Sequence, residues 1–443
     1  MRDYVLTAFV FSLVPVCLMR PWLGILAWYW LGLMNPHRLT WDFAYSMPFA
    51  MTIGGATLLG AVFARDRRPI PWERELVLTV CLLAYFTFTS FFAWAPDYAW
   101  PHLEKVAKII LMTLVATMFI YGKERIRYLL LVVVFSIGYY GFKGGIWSLM
   151  TGGAEQVLGP EGTFIDGNTF LSLALNMVIP LMVGLAREEQ VRWIRRLLYL
   201  TAGLSVIASF FSYSRGGWLG LAVVLVFLLW QLKAGHRMLL ASVLVGVFLA
   251  AHSILPDRVF TRADTLENYE VDCSANQRLM AWTVNWNLAQ AYPFTGAGFQ
   301  FDEISDPRWL AFGNEKYAEC FGAAASTSAH SIYFQILGQH GFIAFFIYLS
   351  LLLCVQLKLN RLRREAKKRP ESAWIASYAL GIQIGLLGYV VSGAFLSSAY
   401  FDLAWLYYAV TVMLSRELAT QTSPARARPQ PISIRSAATE QSG

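Results

Sequence analysis

Twelve apolar segments leave this chain few architectures to choose from. They lie near 4–34, 46–63, 75–95, 106–121, 127–150, 169–186, 195–213, 215–232, 237–255, 331–357, 373–397 and 400–415. All but the first run 16 to 27 residues, which suits a hydrocarbon core of roughly 30 Å at about 1.5 Å per residue. Backbone groups in lipid must be satisfied within their own segment, so the expectation is an all-α polytopic membrane protein with about twelve transmembrane helices. Composition agrees: 57% of residues are hydrophobic and 14% charged, where a soluble domain carries about 25% charged residues. The first segment is too long for one straight span and contains Arg20-Pro21. Proline removes a helix hydrogen bond, so this segment reads as one broken span with a re-entrant or interfacial half. It has no small-residue cleavage site and does not read as a cleavable signal.

Lys and Arg outnumber the acidic residues 36 to 28, but nucleic-acid binding is excluded by where they sit. Arg65/Arg67/Arg68/Arg74, Lys123/Arg125/Arg127, Arg187/Arg192/Arg195/Arg196, Lys233/Arg237, the run from Lys358 to Arg369, and Arg416, Arg426, Arg428 and Arg435 occupy every second loop and the tail. The positive-inside rule makes these cytoplasmic, with both termini on that side. The loops at 96–105, 151–168, 213–215, 256–330 and 398–399 are then external. The domain reading is spans 1–9 over 1–255, a large loop over 256–330, spans 10–12 over 331–415, and a disordered cytoplasmic tail over 416–443.

The loop between spans 9 and 10 is 75 residues long and carries 10 acidic against 5 basic residues. It is far longer than a connection requires, which marks a functional, mostly helical extramembrane domain. Cys273 and Cys320 are the two cysteines in it and are a candidate disulfide if the compartment is oxidising. Cys17, Cys81 and Cys354 lie in apolar runs and read as packing residues.

Three cations stand on the external side, against the charge rule: Lys143, Arg215 and Arg278. Charge near the bilayer is expensive and points to function. Arg215 is followed by Gly216-Gly217, which leave little bulk over its guanidinium or nearby N–H groups, an arrangement suited to phosphate. Snorkelling to headgroups is the bland alternative. Arg278, Trp282 and Trp286 recur at helical spacing over 274–290, predicting an amphipathic helix along the outer leaflet with Arg278 toward headgroups. Gly296 and Gly298 are expected to make the turn after it. The glycine-rich stretch 151–168, with Asp166-Gly167-Asn168, reads either as a turn or as a flexible wall near a substrate. His330 begins span 10 and can accept a proton near neutral pH. His37, His102, His236, His252 and His340 read as structural, and no metal-ligand spacing is present.

Ser214-Arg215-Gly216-Gly217, Arg278 with Trp282, Pro293 through Gly298, and Ala329-His330-Ser331 followed by Gly338 and Gly341 together resemble the bacterial O-antigen ligase and polymerase superfamily. The opening, from Arg20-Pro21-Trp22 to Trp41, also resembles the exosortase-associated O-glycosylation ligases. The resemblance implies a GT-C-like inner-membrane glycosyltransferase with its site on the periplasmic face. It implies a glycan donor on undecaprenyl pyrophosphate and a lipid A–core acceptor, in a phospholipid membrane, with no cofactor and no metal. Carried onto this sequence, Arg215 and Arg278 would hold the diphosphate and His330 would act at the acceptor. Lys143, Gly216, Gly217, Trp282, Asp166 and Asn168 are the candidate substrate-binding residues, with Asp166 the fallback base. An inverting ligase is the reading. An O-antigen polymerase, a protein O-oligosaccharyltransferase and, from another class, a lipid-linked sugar flippase or transporter are the alternatives. A transporter would place charges in mid-span and pair two broken halves.

Overall fold

The computed structural model describes residues 1–232, 234, 235, 238, 273–301, 307–314 and 328–422. The ninth predicted span, most of the large loop, the tail beyond 422, His236, His252 and the Cys273–Cys320 pairing lie outside the described residues. The helices are α1 (Arg2–Met19), α2 (Pro21–Met34), α3 (Phe49–Phe63), α4 (Arg74–Ser90), α5 (Pro96–Phe119), α6 (Gly122–Met150), α7 (Gly167–Glu188), α8 (Arg192–Phe210), α9 (Arg215–Trp230), α10 (Cys273–Ala291), α11 (Ile332–Ala366), α12 (Ala373–Gly393) and α13 (Asp402–Thr422). Among the described residues the one β pairing is a single bridge between Gly159 and Gly167.

The protein is thus an all-α membrane protein. Among the described residues, α1, α6, α7, α11 and α12 are long and apolar enough to cross a bilayer, while α2, α3 and α9 are apolar but shorter. The centre of the bundle is α7 packed along α12. Gly381 brings the two backbones together, with Leu181 Cα only 2.8 Å from where its Cβ would stand. Small residues permit the close packing that drives helix association where no hydrophobic effect operates. Around this pair α13 is buried along nearly its whole length.

The expectation of one broken first span is corrected. Arg20 takes a non-helical conformation (φ −135°, ψ 78°) and Pro21 opens the next helix, so the chain reverses and α1 and α2 form an antiparallel hairpin. The carboxylate of Asp3 accepts from the N–H groups of Asp42 (3.2 Å) and Ala44 (3.3 Å), beyond the far end of α2. Tyr4 meets Phe43 edge-on at 5.2 Å. Gly32, near the end of α2, approaches Asp402 at the start of α13. The other end of α13 holds Arg68 and the carbonyls of Pro69 and Thr117 through Glu417 and Arg416. Met1 and Thr422 therefore sit at opposite ends of the bundle, which corrects the placement of both termini on one side. The physical reason is that proline at N1 starts a helix as readily as it breaks one.

The region predicted as the external loop 96–105 is also helical. It forms the first turns of α5, where Pro96 stands at the first helical position and has no intrahelical N–H bond to lose, while Pro101 lies inside the helix and removes one.

Candidate active site

Helix α11 is broken at Gly341, whose φ of 75° and ψ of −173° belong to a region essentially reserved for glycine. The break frees backbone groups, and the segment after α10 fills the gap. The N–H groups of Ala297 and Gly298 donate to the carbonyls of Gly338 and Gln339, both at 2.9 Å. The Phe342 N–H donates to the Pro293 carbonyl at 2.9 Å. Gly296 (φ 60°) and Gly298 (φ 87°) make the turn, as the sequence predicts. Pro293 through Gly298, with Gly338 and Gly341, is thus one interlocking device that docks α10 onto α11.

That docking lays the Trp282 side of the Arg278/Trp282/Trp286 face against α11, while Trp286 stays 45% exposed. Trp282 stacks on Phe334 (centroids 5.4 Å apart, planes at 14°) and Trp286 meets Phe342 edge-on at 5.9 Å. One turn before Trp282, the Arg278 charge acts on His330. The opposite face of α10 is covered too. Met280, Val284 and Leu288 form a small core with Ala297, Phe301 and Trp309. An i, i+4, i+8 stripe records one apolar face, and sequence alone does not say whether lipid or protein covers it.

His330 is half-buried and sits at φ 46°, left-handed for a non-glycine residue. Its backbone N–H donates to Ser397 Oγ at 2.8 Å, and Ser397 Oγ also meets Ser328 Oγ at 2.8 Å. Ser331 follows as the N-cap of α11, accepting from the Tyr333 N–H at 3.3 Å. Burial, and after it the positive charge of Arg278, push the imidazole down to about 4. His330 is therefore neutral at pH 7.

Arg215 opens α9, directly after the N-cap Ser214. The turn before it is held by the glycine-rich loop 151–168. The Ser212 carbonyl accepts from the side-chain amides of Gln156 and Asn168, each at 2.9 Å, and the Tyr213 hydroxyl donates to the Gly153 carbonyl at 2.5 Å. Tyr213 itself is left-handed at φ 55°. Asp166 accepts from the Gly162 N–H at 2.8 Å and closes the loop on itself. Of the two glycines expected to leave backbone open, Gly217 does not. The Gly217 N–H is taken by Ser214 Oγ at 3.1 Å, and a Cβ on Gly217 would strike Ser172 on α7. A Cβ on Gly216 would lie 3.0 Å from Phe395 Cβ. Both glycines serve close helix packing.

The turn between α12 and α13 is where these pieces meet, and sequence reasoning missed it. Phe395 touches Gly216 beside Arg215 and lies 6.2 Å from the Trp282 ring. Ser397, two residues on, holds His330. The available signal was two hydroxyls, Ser397 and Ser398, between two apolar helices. Gly216, Trp282 and His330 thus meet one short segment, which brings the start of α9, α10 and the start of α11 together. Lys143 does not join them: it is exposed and lines a different cleft with Arg38, Tyr140 and Trp147. His340 is buried, with Nδ1 at 2.6 Å from the Thr89 hydroxyl and Nε2 at 2.9 Å from the Tyr400 hydroxyl.

Comparison with known families covers both halves of this arrangement. Residues 200–349 match the model of a family described as O-Antigen ligase. Residues 1–190 match a family of unknown function, DUF5935. No curated protein matches the sequence. The 200–349 match contains Arg215, α10, the interlock and His330.

Proposed function

We propose, from the premise that this chain is a member of the O-antigen ligase superfamily, that it transfers a glycan from undecaprenyl pyrophosphate to lipid A–core oligosaccharide at the periplasmic face of the inner membrane. The observation that carries this reading is the turn between α12 and α13, where Phe395 contacts Gly216 beside Arg215 and lies against Trp282, one turn from Arg278, and Ser397 holds His330. The neutral imidazole takes the proton of an acceptor hydroxyl as that oxygen bonds to the anomeric carbon. The bond from the anomeric carbon to the diphosphate breaks on the opposite face, and Arg215 and Arg278 receive the leaving charge. One displacement with no covalent sugar–enzyme intermediate inverts the anomeric centre. The donor also acts on the base: burial holds His330 down most and Arg278 adds to it, and a diphosphate beside Arg278 offsets the second part, so basicity rises on donor binding. Trp282 and the 151–168 loop, through Asp166 and Asn168, supply contacts and positioning.

The cytoplasmic side in this reading is the end that carries Arg65–Arg68, Lys358–Arg369 and Arg416. Thr422, the end of α13, lies there, and Met1 lies at the periplasmic end. Domains follow the order of the chain: spans to residue 255, the large loop over 256–330, and the remaining spans to 415. Cysteine probes at Asn314 should label from the periplasm and at Arg67 or Arg364 only after the inner membrane is opened; the reverse pattern removes the assignment.

The deciding experiment is transfer in vitro with an NMR assignment of the new linkage. Inversion is expected, and a retained configuration rules out single displacement. Alanine at Arg215 or Arg278 should abolish most transfer, and lysine should restore little because the bidentate fork is gone. Activity should survive a chelator, and loss reversed by one divalent ion would demand a metal. Deleting the gene and running the cell's lipopolysaccharide on a gel separates the runner-up readings: loss of the long ladder with intact core supports a ligase, and one retained repeat unit points to a polymerase. An unaltered ladder with loss of protein glycosylation would indicate a protein O-oligosaccharyltransferase.

A further inference from the structure

The loop 151–168 has a second side. Away from the Arg215 turn it closes a cleft of about 490 Å³, whose walls include Arg38, Tyr140, Lys143, Trp147, Leu158 and Pro160. Two cations from distant parts of the chain share this space. Lys143 comes from α6 and is exposed. Arg38 comes from the 3₁₀ turn Pro36–Leu39 and is half-buried, with its guanidinium 4.5 Å over the Tyr45 ring. The same guanidinium lies 3.5 Å from where a Cβ on Gly162 would stand, so it reaches the loop itself. Among the described residues neither cation is in an ion pair.

The turn that carries Arg38 is held firmly. Asn35 is left-handed at φ 50° and its amide donates to the Gly32 carbonyl at 2.6 Å. The Thr40 hydroxyl donates to the His37 carbonyl at 2.6 Å, and the Tyr140 hydroxyl, from the cleft wall, donates to the Met34 carbonyl at 2.5 Å. A guanidinium fork fixed in this way loses little freedom on binding. Two like charges facing one cleft call for an anion between them, and an anion held by Arg and Lys makes charge-assisted hydrogen bonds. The flat face of Trp147, 49% exposed, suits the apolar face of a sugar ring.

We propose that Arg38 and Lys143 form a second subsite, for an acidic saccharide carrying phosphate or carboxylate, separated from Arg215 by the loop 151–168. That the ligand is a substrate of the enzyme rests on the glycosyl-transfer reading; that the cleft binds an anionic sugar does not. The test is glucose 1-phosphate binding to the full chain in phosphatidylcholine nanodiscs, followed by native mass spectrometry. Arg38→Gln/Lys143→Gln should lower the affinity roughly tenfold per charge removed, the worth of one charge-assisted contact. Arg215→Gln/Arg278→Gln should leave this adduct in place, and neutral glucose should not form it. Lys143→Gln alone, at an exposed position, keeps the measurement open if the double variant does not fold. Equal binding by wild type and by every Arg38 and Lys143 variant overturns the subsite. Displacement of glucose 1-phosphate by phosphatidylglycerol, through the same two residues, also overturns it and makes the cleft a lipid-headgroup seat. In transfer assays the double variant should raise KM for an acidic acceptor while kcat and the neutral acceptor are unaffected. If the wild type transfers to no acceptor, the glycosyl-transfer reading fails and the binding arm still decides the subsite.

Discussion

The two ends of the bundle hold their charges and their backbone in opposite ways. At the end where α13 finishes, cations are tied to carboxylates. Arg68 pairs with Glu417 at 3.0 Å, Arg125 with Asp66 at 2.6 Å, Arg127 with Glu189 at 2.6 Å, and Lys358 with Glu73 and Glu75. At the His330 end the backbone departs from ordinary geometry. All four described non-glycine residues with positive φ (Asn35, Tyr213, Gln300 and His330) are found there, along with the break at Gly341. Strained conformations of about 1–3 kcal/mol each persist only where the surroundings over-determine them, and they gather at functional sites. One end is built for holding. The other spends stability to place a histidine, two arginines and a loop.

Substitutions can break that contrast. The largest effect is expected at His330: alanine there should lower the transfer rate by roughly 10²–10⁴ with donor binding retained, the usual worth of a positioned base. Near-normal turnover would move the base elsewhere, with Asp166 the next residue to test. The pH profile sharpens the same point. A base held at about 4 stays neutral as pH falls through 6.5, so kcat/KM should hold there and drop only as pH approaches 4. Because bound diphosphate offsets Arg278, the acid limb of kcat should lie at higher pH than that of kcat/KM. Arg278→Gln should raise the kcat/KM limb. Coincident limbs at 6.5 in both profiles would show an ordinary solvated imidazole.

A smaller loss is expected at the interlock. Gly341→Ala forces a side chain into a glycine-only conformation and against the Pro293 carbonyl, which should destabilise the protein by about 3 kcal/mol. A lowered melting temperature and lost transfer should appear together, and an unchanged protein would mean the break is not required. Ser397→Ala removes the acceptor for the His330 N–H and should cost about 1 kcal/mol, a rate loss of about fivefold. A melting shift without any rate loss would make Ser397 a purely structural tie. The smallest effect belongs to the paired end. Arg68→Gln breaks a partly exposed pair worth about 0.2–1 kcal/mol, with transfer unchanged. A large activity loss there would erase the distinction between the ends.

Some of this was legible in the residues one at a time. Apolar length and period determined the all-α membrane architecture, because lipid leaves the backbone no other way to satisfy its hydrogen bonds. The spacing of Arg278, Trp282 and Trp286 determined a helix, and the glycines at 296 and 298 determined a turn, since both are local properties of the chain. What covered each element was decided only by tertiary structure. Arg20-Pro21 carries the same local signal whether it bends a span or reverses it, and the contacts of Asp3 with residues 42–44 settle the matter. The Arg278 face could have met lipid or protein. The break at Gly341, more than fifty residues away, turned it toward His330. Gly216 and Gly217 read equally as open backbone or as packing surface until α7 and Phe395 were laid against them. Phe395, Ser397 and Arg38 carry no motif at all. Their roles arise from contacts between segments about 70 to 180 residues apart, which no local pattern records.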